Sequence, residues 1–159
     1  MEVCSFRTKK GRNLTLCLFM EGALQQLLTF YDQFEPKGVD LGIPPRLALS
    51  RREWVERFAS TSVSLLATDG DQIVGHAAAV PINSSTAELF VFVHQDAQNQ
   101  GIGTELVRSL AKCAAETGLK RLWLSVLNSN FIAIHVYRKC GFRFVGPMDL
   151  EREMVLDLG

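Results

Sequence analysis

Long apolar runs and an excess of charge of either sign are both missing from this sequence of 159 residues. No apolar run approaches the ~20 residues that a membrane-spanning helix needs, and residues 1–6 lack the order of a signal peptide. Lysine plus arginine and aspartate plus glutamate number 17 each, which removes the charge argument for a nucleic-acid or membrane partner. We therefore expect a cytoplasmic protein that binds neither nucleic acid nor membrane.

Cysteine is also scarce. The four cysteines lie at positions 4, 17, 113 and 140, with no Cys-x-x-Cys pair and no Cys/His cluster at zinc-ligand spacing. This spacing predicts no metal site and no disulfide framework. We expect reduced thiols that fill small apolar spaces in the core.

Apolar residues are plentiful, at 47% of the chain, which is enough for a core. The length predicts one domain over residues 1–159. Apolar periodicity and turn residues predict the order of elements. They indicate strands at 2–7 and 13–19, helices at 21–34 and 50–59 around a loop at 35–49, strands at 62–68, 72–80 and 89–93, a helix at 103–117, a strand at 122–127, a helix at 131–139, and strands at 142–146 and 152–158.

Local signals refine this order. Ser50 is predicted to cap the second helix, because Glu53 three residues later completes a capping box. The five consecutive apolar residues at 89–93 predict a strand that is covered on both faces. A strand, helix and strand with short connections then predict a parallel pair joined by a right-handed crossover. The expected fold is α/β, with a mixed, mostly antiparallel sheet that opens near strand 89–93.

A glycine-containing turn, Gln98 to Gly103, lies between this strand and the next amphipathic helix. Gly101 and Gly103 let the backbone curl so that several N–H groups point the same way, and the helix adds its positive dipole end. Such a turn suits a diphosphate, although a tight turn that binds nothing has the same pattern. The turn lacks the Lys-Ser/Thr of a P-loop and the third glycine of a Rossmann fingerprint, where Leu106 stands.

A second motif runs from Asn130 to Phe142, and the two motifs together resemble those of the GNAT superfamily of acetyl-CoA-dependent N-acetyltransferases. That family shows Gln/Arg-x-x-Gly-x-Gly/Ala, a helix, a strand, and then Asn-x-x-Ala-x-x-Leu-Tyr-x-x-x-Gly-Phe. Val136 replaces the usual leucine, and Gln95 stands where proline is common. The residues that match at the family spacing are Gln98, Gly101, Gly103, Asn130, Ala133, Tyr137, Gly141 and Phe142.

The resemblance implies a GNAT fold, with a sheet splayed at its central parallel pair and flanked by about four helices. It also implies acetyl-CoA as the acyl donor and no metal. The turn amides of residues 98–104 would hold the coenzyme diphosphate, and the exposed edge of strand 89–93 would pair with the pantetheine amides. A backbone N–H near Val93 would stabilise the oxyanion of the tetrahedral intermediate. The residues assigned to coenzyme binding are Phe92, Val93, Gln98, Asn99, Gln100, Gly101, Ile102, Gly103, Thr104, Asn130, Ala133 and Tyr137.

The implied reaction is acetyl transfer to a primary amine by direct attack in a ternary complex, and Tyr137 would protonate the leaving thiolate. An alkyl ammonium, with an ordinary pKa near ~10, must lose a proton before it attacks. Glu88 is the candidate base, and a water chain to bulk solvent is the alternative. Ser125 stands where members that acetylate peptide N-termini have glutamate, which argues against that subgroup.

Other functions stay open at this point. The chain could be a non-catalytic acyl-CoA-binding or sensing module, or a nucleotide-binding protein that uses the glycine turn. The acceptor is a small amine or a protein amine, and the molecule is a monomer or a homodimer. We expect His76 to be a structural residue in a strand, His94 to contribute mainly backbone, and His135 to be exposed.

Overall fold

The computed structural model describes residues 2–38 and 43–159. In this part of the chain, eight strands form one sheet in the order β1-β2-β3-β4-β5-β6-β8-β7. The strands are β1 (Glu2–Arg7), β2 (Asn13–Leu18), β3 (Val63–Asp69), β4 (Gln72–Pro81), β5 (Thr86–Val93), β6 (Arg121–Leu127), β7 (Arg143–Val145) and β8 (Glu151–Asp157). The helices are α1 (Leu24–Gln33), α2 (Ala48–Thr61), α3 (Ile102–Glu116) and α4 (Phe131–Lys139), with short 3₁₀ turns at Glu21–Ala23 and Gln95–Ala97. None of these helices is long and apolar enough to span a bilayer.

The sheet is antiparallel at every pairing except that of β5 with β6. These two strands run parallel, and α3 forms the crossover between them. Their paired register covers Thr86–Glu88 against Arg121–Trp123, and beyond it the strands separate. The prediction of an α/β fold with a mixed, mostly antiparallel sheet, splayed at its central parallel pair, is confirmed.

Apolar cores form on both faces of the sheet. Side chains alternate along β3, so Leu65 and Ala67 belong to a first core while Leu66 belongs to a second. α3 covers the first core with an apolar stripe at helical spacing, made of Leu106, Val107, Leu110 and Ala114, all buried. α1 and α2 cover the second core, which is rich in aromatic rings. At about 2 kcal/mol for each buried leucine, these two faces hold α1, α2 and α3 on the sheet.

A buried polar chain crosses the second core. His76 on β4 is fully buried, with Nδ1 2.6 Å from the Tyr31 hydroxyl and Nε2 2.9 Å from Ser64 Oγ. Burial lowers the pKa of His76 to about 3, so the ring is neutral at physiological pH. The prediction of a structural His76 is confirmed, and His135 is exposed as expected.

The start of α2 corrects one prediction. The helix begins at Ala48 and no side chain caps it, so the predicted capping box of Ser50 and Glu53 is wrong. The buried Arg51 side chain gives the reason. Its Nε lies 2.9 Å from Asp32 Oδ1 on α1, and its Nη1 donates to the carbonyl oxygens of Pro45 and Arg46 at 3.2 and 2.8 Å. This tertiary anchor fixes the segment before α2, which overrides the local capping signal.

Two other boundaries differ in smaller ways. β5 begins at Thr86 rather than at residue 89, and it is these added residues that pair with β6. α1 begins at Leu24, because residues 21–23 form a 3₁₀ turn. Residues 39–42 of the predicted loop lie outside the described part of the chain.

Candidate active site

The separation of β5 from β6 opens a wedge in the middle of the sheet. The last paired residues are Glu88 and Trp123. Beyond them, residues 89–93 stay paired with β4, and residues 124–127 stay paired with β8. A strand edge without a neighbouring strand presents backbone N–H and C=O groups with which an extended ligand can pair. The wedge therefore offers such a ligand the edge of β5.

The end of β5 directs a backbone donor into this wedge. The N–H of His94 donates to the carbonyl oxygen of Val74 on β4 at 2.8 Å. Because successive residues of a strand direct their N–H groups to opposite sides, the N–H of Val93 points toward the wedge. The carbonyl oxygen of Val93 accepts a hydrogen bond from Gln98 Nε2 at 3.1 Å. Gln98 thus holds the glycine turn against the end of β5.

The glycine turn itself has left-handed backbone at two positions, with φ of 62° at Asn99 and 86° at Gly101. α3 begins at Ile102, directly after Gly101, so the N–H groups of its first turn have no carbonyl partner within the helix. Left-handed residues followed by a helix N-terminus form a concave group of N–H donors at the positive end of the helix dipole. This geometry suits a diphosphate, as the sequence predicts.

Gly103 lies where three predicted segments of the site meet. A Cβ built on Gly103 would lie 3.7 Å from Val93 Cγ2 and 4.0 Å from Val136 Cγ1. The first turn of α3 is therefore packed close to both the end of β5 and α4. Cys140 Sγ adds a second contact between the helices, 3.7 Å from the carbonyl oxygen of Thr104. The fold thus brings the glycine turn and the Asn130–Phe142 motif together.

Several residues of the Asn130–Phe142 motif are explained by the way in which α4 begins and ends. Asn130 caps α4, and its Oδ1 accepts a hydrogen bond from the N–H of Ala133 at 3.2 Å. At the other end, Gly141 has φ of 97°, and its N–H donates to the carbonyl oxygen of Arg138 at 3.1 Å. The N–H of Phe142 donates to the carbonyl oxygen of Tyr137 at 3.0 Å, which completes a Schellman motif.

This ending places the Phe142 ring beside Tyr137, with ring centroids 5.8 Å apart. Tyr137 is buried in the first core, on the α3 side of the sheet. The sequence therefore encodes the position of the tyrosine through the glycine and phenylalanine that follow it.

Glu88 lies at the closed end of the wedge on the other face. Its neighbours Ala87 and Leu89 are buried in the first core, so its own side chain points to the α1–α2 side, as does that of its register partner Trp123. Glu88 is half-buried, and this desolvation raises the pKa of its carboxyl group. A carboxylate with a raised pKa is better suited to accept a proton near neutral pH than an ordinary one.

Sequence reasoning did not single out Glu153, which shares this face. It lies opposite Ser125 in the register of β6 with β8, and its Oε1 accepts a hydrogen bond from Trp123 Nε1 at 2.8 Å. The position within the last predicted strand was visible in the sequence. Its proximity to Trp123 depends on the register between the strands, which the pattern of one strand does not specify.

Some of the predicted coenzyme residues have side chains that pack within the protein. The ring of Phe92 packs edge-to-face against Tyr31 and Phe34, with centroids 5.5 Å from each. Ile102 is buried in the first core, and Thr104 is buried in the first turn of α3. Contact of Phe92 and Ile102 with a coenzyme is therefore a prediction that concerns their backbone. Gln100 is buried as well, whereas Asn99 is exposed. In the described residues, no three His, Cys, Asp or Glu side chains are grouped as metal ligands would be.

Comparison with known proteins agrees with this geometry. The model of the Acetyltransferase (GNAT) family matches residues 24–142. The chain is 49% identical to streptothricin acetyltransferase of Streptomyces lavendulae over 49 residues, which cover 31% of the chain and 26% of that protein. It is 33% identical to spermine/spermidine N(1)-acetyltransferase of Bacillus subtilis (strain 168) over 66 residues, or 41% of the chain and 43% of that protein. The chain thus spans less than half the length of either relative.

Solved structures share the fold over nearly the whole chain. The GNAT domain of S. lividans PAT superposes with a TM-score of 0.85 at 21% identity, covering 98% of this chain and 96% of that one. The yncA protein of Salmonella typhimurium, solved with its cofactor acetyl-CoA, gives a TM-score of 0.73 at 18% identity, covering 92% and 95% of the two chains.

Proposed function

Since the chain belongs to the GNAT acetyltransferase family, we propose that it transfers an acetyl group from acetyl-CoA to a primary amine in a ternary complex. The observation that carries the proposal is the wedge between β5 and β6, with the glycine turn at its open end and Glu88 at its closed end. An extended thioester can lie in the wedge and be reached from both faces of the sheet. Tyr137 lies on one of these faces and Glu88 on the other.

The coenzyme would be held mainly by backbone groups. The N–H groups of residues 98–104 suit its diphosphate, and the edge of β5 at residues 89–93 suits its pantetheine amides. A Cβ built on Gly101 meets only Lys9 Cε within 4 Å, at 4.0 Å, so the turn is open on its outer side. A phosphate could therefore approach the turn from solvent. These features fit the donor that the family uses.

Glu88 is proposed as the group that takes the proton from the acceptor ammonium. The neutral amine then attacks the thioester carbon from the α1–α2 face, where a new C–N bond forms. The negative charge that develops on the thioester oxygen is stabilised by a backbone N–H of residues 89–93 that points into the wedge. Holding amine and thioester in attack geometry supplies the larger part of the rate enhancement.

Tyr137 is proposed as the acid on the opposite face. As the C–S bond breaks, the sulfur gains negative charge, and a hydroxyl on the α3–α4 side can donate a proton to it. The Schellman ending of α4 and the ring of Phe142 hold Tyr137 in place before the substrate binds. The amine thus attacks from one face of the sheet, and the thiolate is protonated on the other.

The acceptor class is proposed from the chemistry of the face that carries Glu88. Two carboxylates, Glu88 and Glu153, lie on this face, and both attract an ammonium group. The relatives named for spermine/spermidine and for streptothricin support an amine acceptor. We propose a small amine acceptor, with a protein amine as the other outcome of the screen.

The test is release of free thiol from acetyl-CoA with a panel of amines, for the wild type and Tyr137→Phe. The variant keeps the ring that packs against Phe142, so the fold and the KM for acetyl-CoA should stay close to those of the wild type. We expect kcat to fall about 100-fold, because the acid is lost. Binding of acetyl-CoA without turnover on any amine would instead favour an acyl-CoA-sensing module. An unchanged kcat in Tyr137→Phe would remove the acid role.

A further inference from the structure

The glycine turn lacks a cation of its own. Residues 95–104 contain no lysine or arginine, and their one charged residue is Asp96. Arg108, further along α3, lies 3.9 Å from Glu105. Coenzyme A carries a diphosphate and a 3′-phosphate, so several negative charges have to be balanced. Backbone amides and a helix dipole equivalent to roughly half a charge neutralise only a small part of the negative charge of these phosphates.

A basic hairpin supplies the missing charge. The turn between β1 and β2 reads Arg7-Thr-Lys-Lys-Gly-Arg12, and it lies at the end of the sheet where β5 leads into the glycine turn. The N–H of Lys9 donates to the carbonyl oxygen of Gln100 at 3.3 Å. β1 is the edge strand and lies four places from β5 in the strand order β1-β2-β3-β4-β5. This contact therefore joins segments that are distant in both sequence and sheet order.

The Lys9 side chain passes over the glycine turn. Its Cε lies 4.0 Å from the position of a Cβ built on Gly101, and its ammonium nitrogen is one bond further on. Lys9 is exposed, and no carboxylate pairs with it in residues 2–38 and 43–159. The ammonium group is thus available beside the concave group of N–H donors.

The hairpin holds Lys9 in this position. The N–H of Thr8 donates to the carbonyl oxygen of Arg12 at 2.8 Å, and the N–H of Arg12 donates to Thr8 Oγ1 at 3.0 Å. The Arg12 guanidinium forms a salt bridge with Asp69 on β3, with Nη2 2.7 Å from Oδ2. Arg12 is therefore neutralised within the protein, and the Arg7 guanidinium lies beside Gly11 of the hairpin itself. Lys9 is the hairpin residue whose side chain is placed beside Gly101.

We propose that Lys9 is a coenzyme-binding residue whose ammonium group binds a phosphate of acetyl-CoA held at residues 98–104. The proposal rests on the proposed function, because it takes the glycine turn as the coenzyme site. The assignment of Lys9 makes the β1–β2 hairpin part of the coenzyme site. Lys9 contributes to binding and takes no part in the chemical step, so its loss weakens the affinity for acetyl-CoA.

The experiment is calorimetric titration of the full chain with acetyl-CoA, comparing the wild type, Lys9→Met and Lys112→Met. Methionine keeps an unbranched stem and removes the charge, and Lys112 is an exposed lysine of α3 outside the glycine turn. We expect Lys9→Met to raise Kd about tenfold at low salt, since a charge-assisted hydrogen bond to phosphate is lost, and Lys112→Met to change it little. The dependence of Kd on salt should also become weaker in Lys9→Met.

A second titration with 3′-dephospho-CoA identifies which phosphate Lys9 binds. If the difference between wild type and Lys9→Met persists, Lys9 binds the diphosphate; if it disappears, Lys9 binds the 3′-phosphate. Equal affinity of Lys9→Met and Lys112→Met for acetyl-CoA overturns the assignment while the proposed function stands. Absence of acetyl-CoA binding by the wild type overturns both.

Discussion

At the residue scale, Glu88 carries the most specific prediction. Glu88 lies at the closed end of the wedge, where β5 and β6 are still paired. Partial burial at this position raises the pKa of its carboxyl group. The carboxylate must be ionised to accept a proton, so kcat/KM should fall as pH decreases through this pKa. The midpoint of that acid limb should lie above the ordinary glutamate pKa of ~4.3.

The matching variant is Glu88→Gln, assayed from pH 4.5 to 9 over a range of amine concentrations that gives both kcat and kcat/KM. We expect kcat to fall about 100-fold or more and the acid limb assigned to Glu88 to disappear, since glutamine cannot take the proton. Glu116→Gln, at the exposed end of α3, is the control for removal of a carboxylate. Full activity in Glu88→Gln would instead support a water chain to bulk solvent as the proton acceptor.

Short motifs in the sequence explain the local geometry at some positions. Gly101 and Gly141 have the left-handed backbone that their positions demand, and Asn130 caps the helix that it precedes. Lys9 and Glu153 could not be assigned in this way. Each gains its significance from a neighbour in another strand or turn, and neither local periodicity nor motif spacing encodes that neighbour.

At the element scale, the His76 chain makes the stability of the β3–β4 pair and α1 depend on pH. The pKa of His76 is about 3 in the folded protein, below the ordinary value of 6.5, because burial disfavours the charged ring. Between these values the unfolded chain binds a proton that the folded chain does not. The contribution is therefore fully present above pH ~6.5 and is lost progressively as pH falls toward 3.

We expect protonation of His76 in the unfolded chain to lower the free energy of unfolding by about 2 kcal/mol between pH 7 and pH 5. The loss amounts to about 1.4 kcal/mol per pH unit below pH 6.5. Urea unfolding at the two pH values measures the loss. His135→Gln, which removes an exposed histidine, should keep the dependence, whereas His76→Gln should flatten it. A dependence that is equal in both variants would show that His76 is not its source.

The elements also show where local signals fail. Order and type of the predicted strands and helices are confirmed in the described part of the chain, since each has a clear apolar period or turn residue. The predicted start of α2 was wrong because the Arg51 side chain donates hydrogen bonds to Asp32 on α1 and to two carbonyl oxygens that precede the helix. Such a contact outweighs a serine capping signal worth only about 1 kcal/mol.

At the scale of the whole molecule, one departure from regular pairing creates the site. Seven strand pairings form the described sheet, and one of them, β5 with β6, covers only three residues of each strand before the strands separate. The sequence predicted a sheet that opens near strand 89–93 but could not give the starting point of the opening at Glu88 and Trp123. That residues 1–159 form one domain, and that the protein is cytoplasmic and a monomer or homodimer, stay predictions.

The central claim is that the backbone N–H groups of residues 98–104 bind the coenzyme diphosphate at the mouth of the wedge. A crystal structure determined at saturating acetyl-CoA tests it most directly. We predict both phosphate groups of the diphosphate within hydrogen-bonding distance of those N–H groups, with the pantetheine arm along residues 89–93 of β5. Diphosphate density at any other place on the molecule, or none at saturation, would contradict the account.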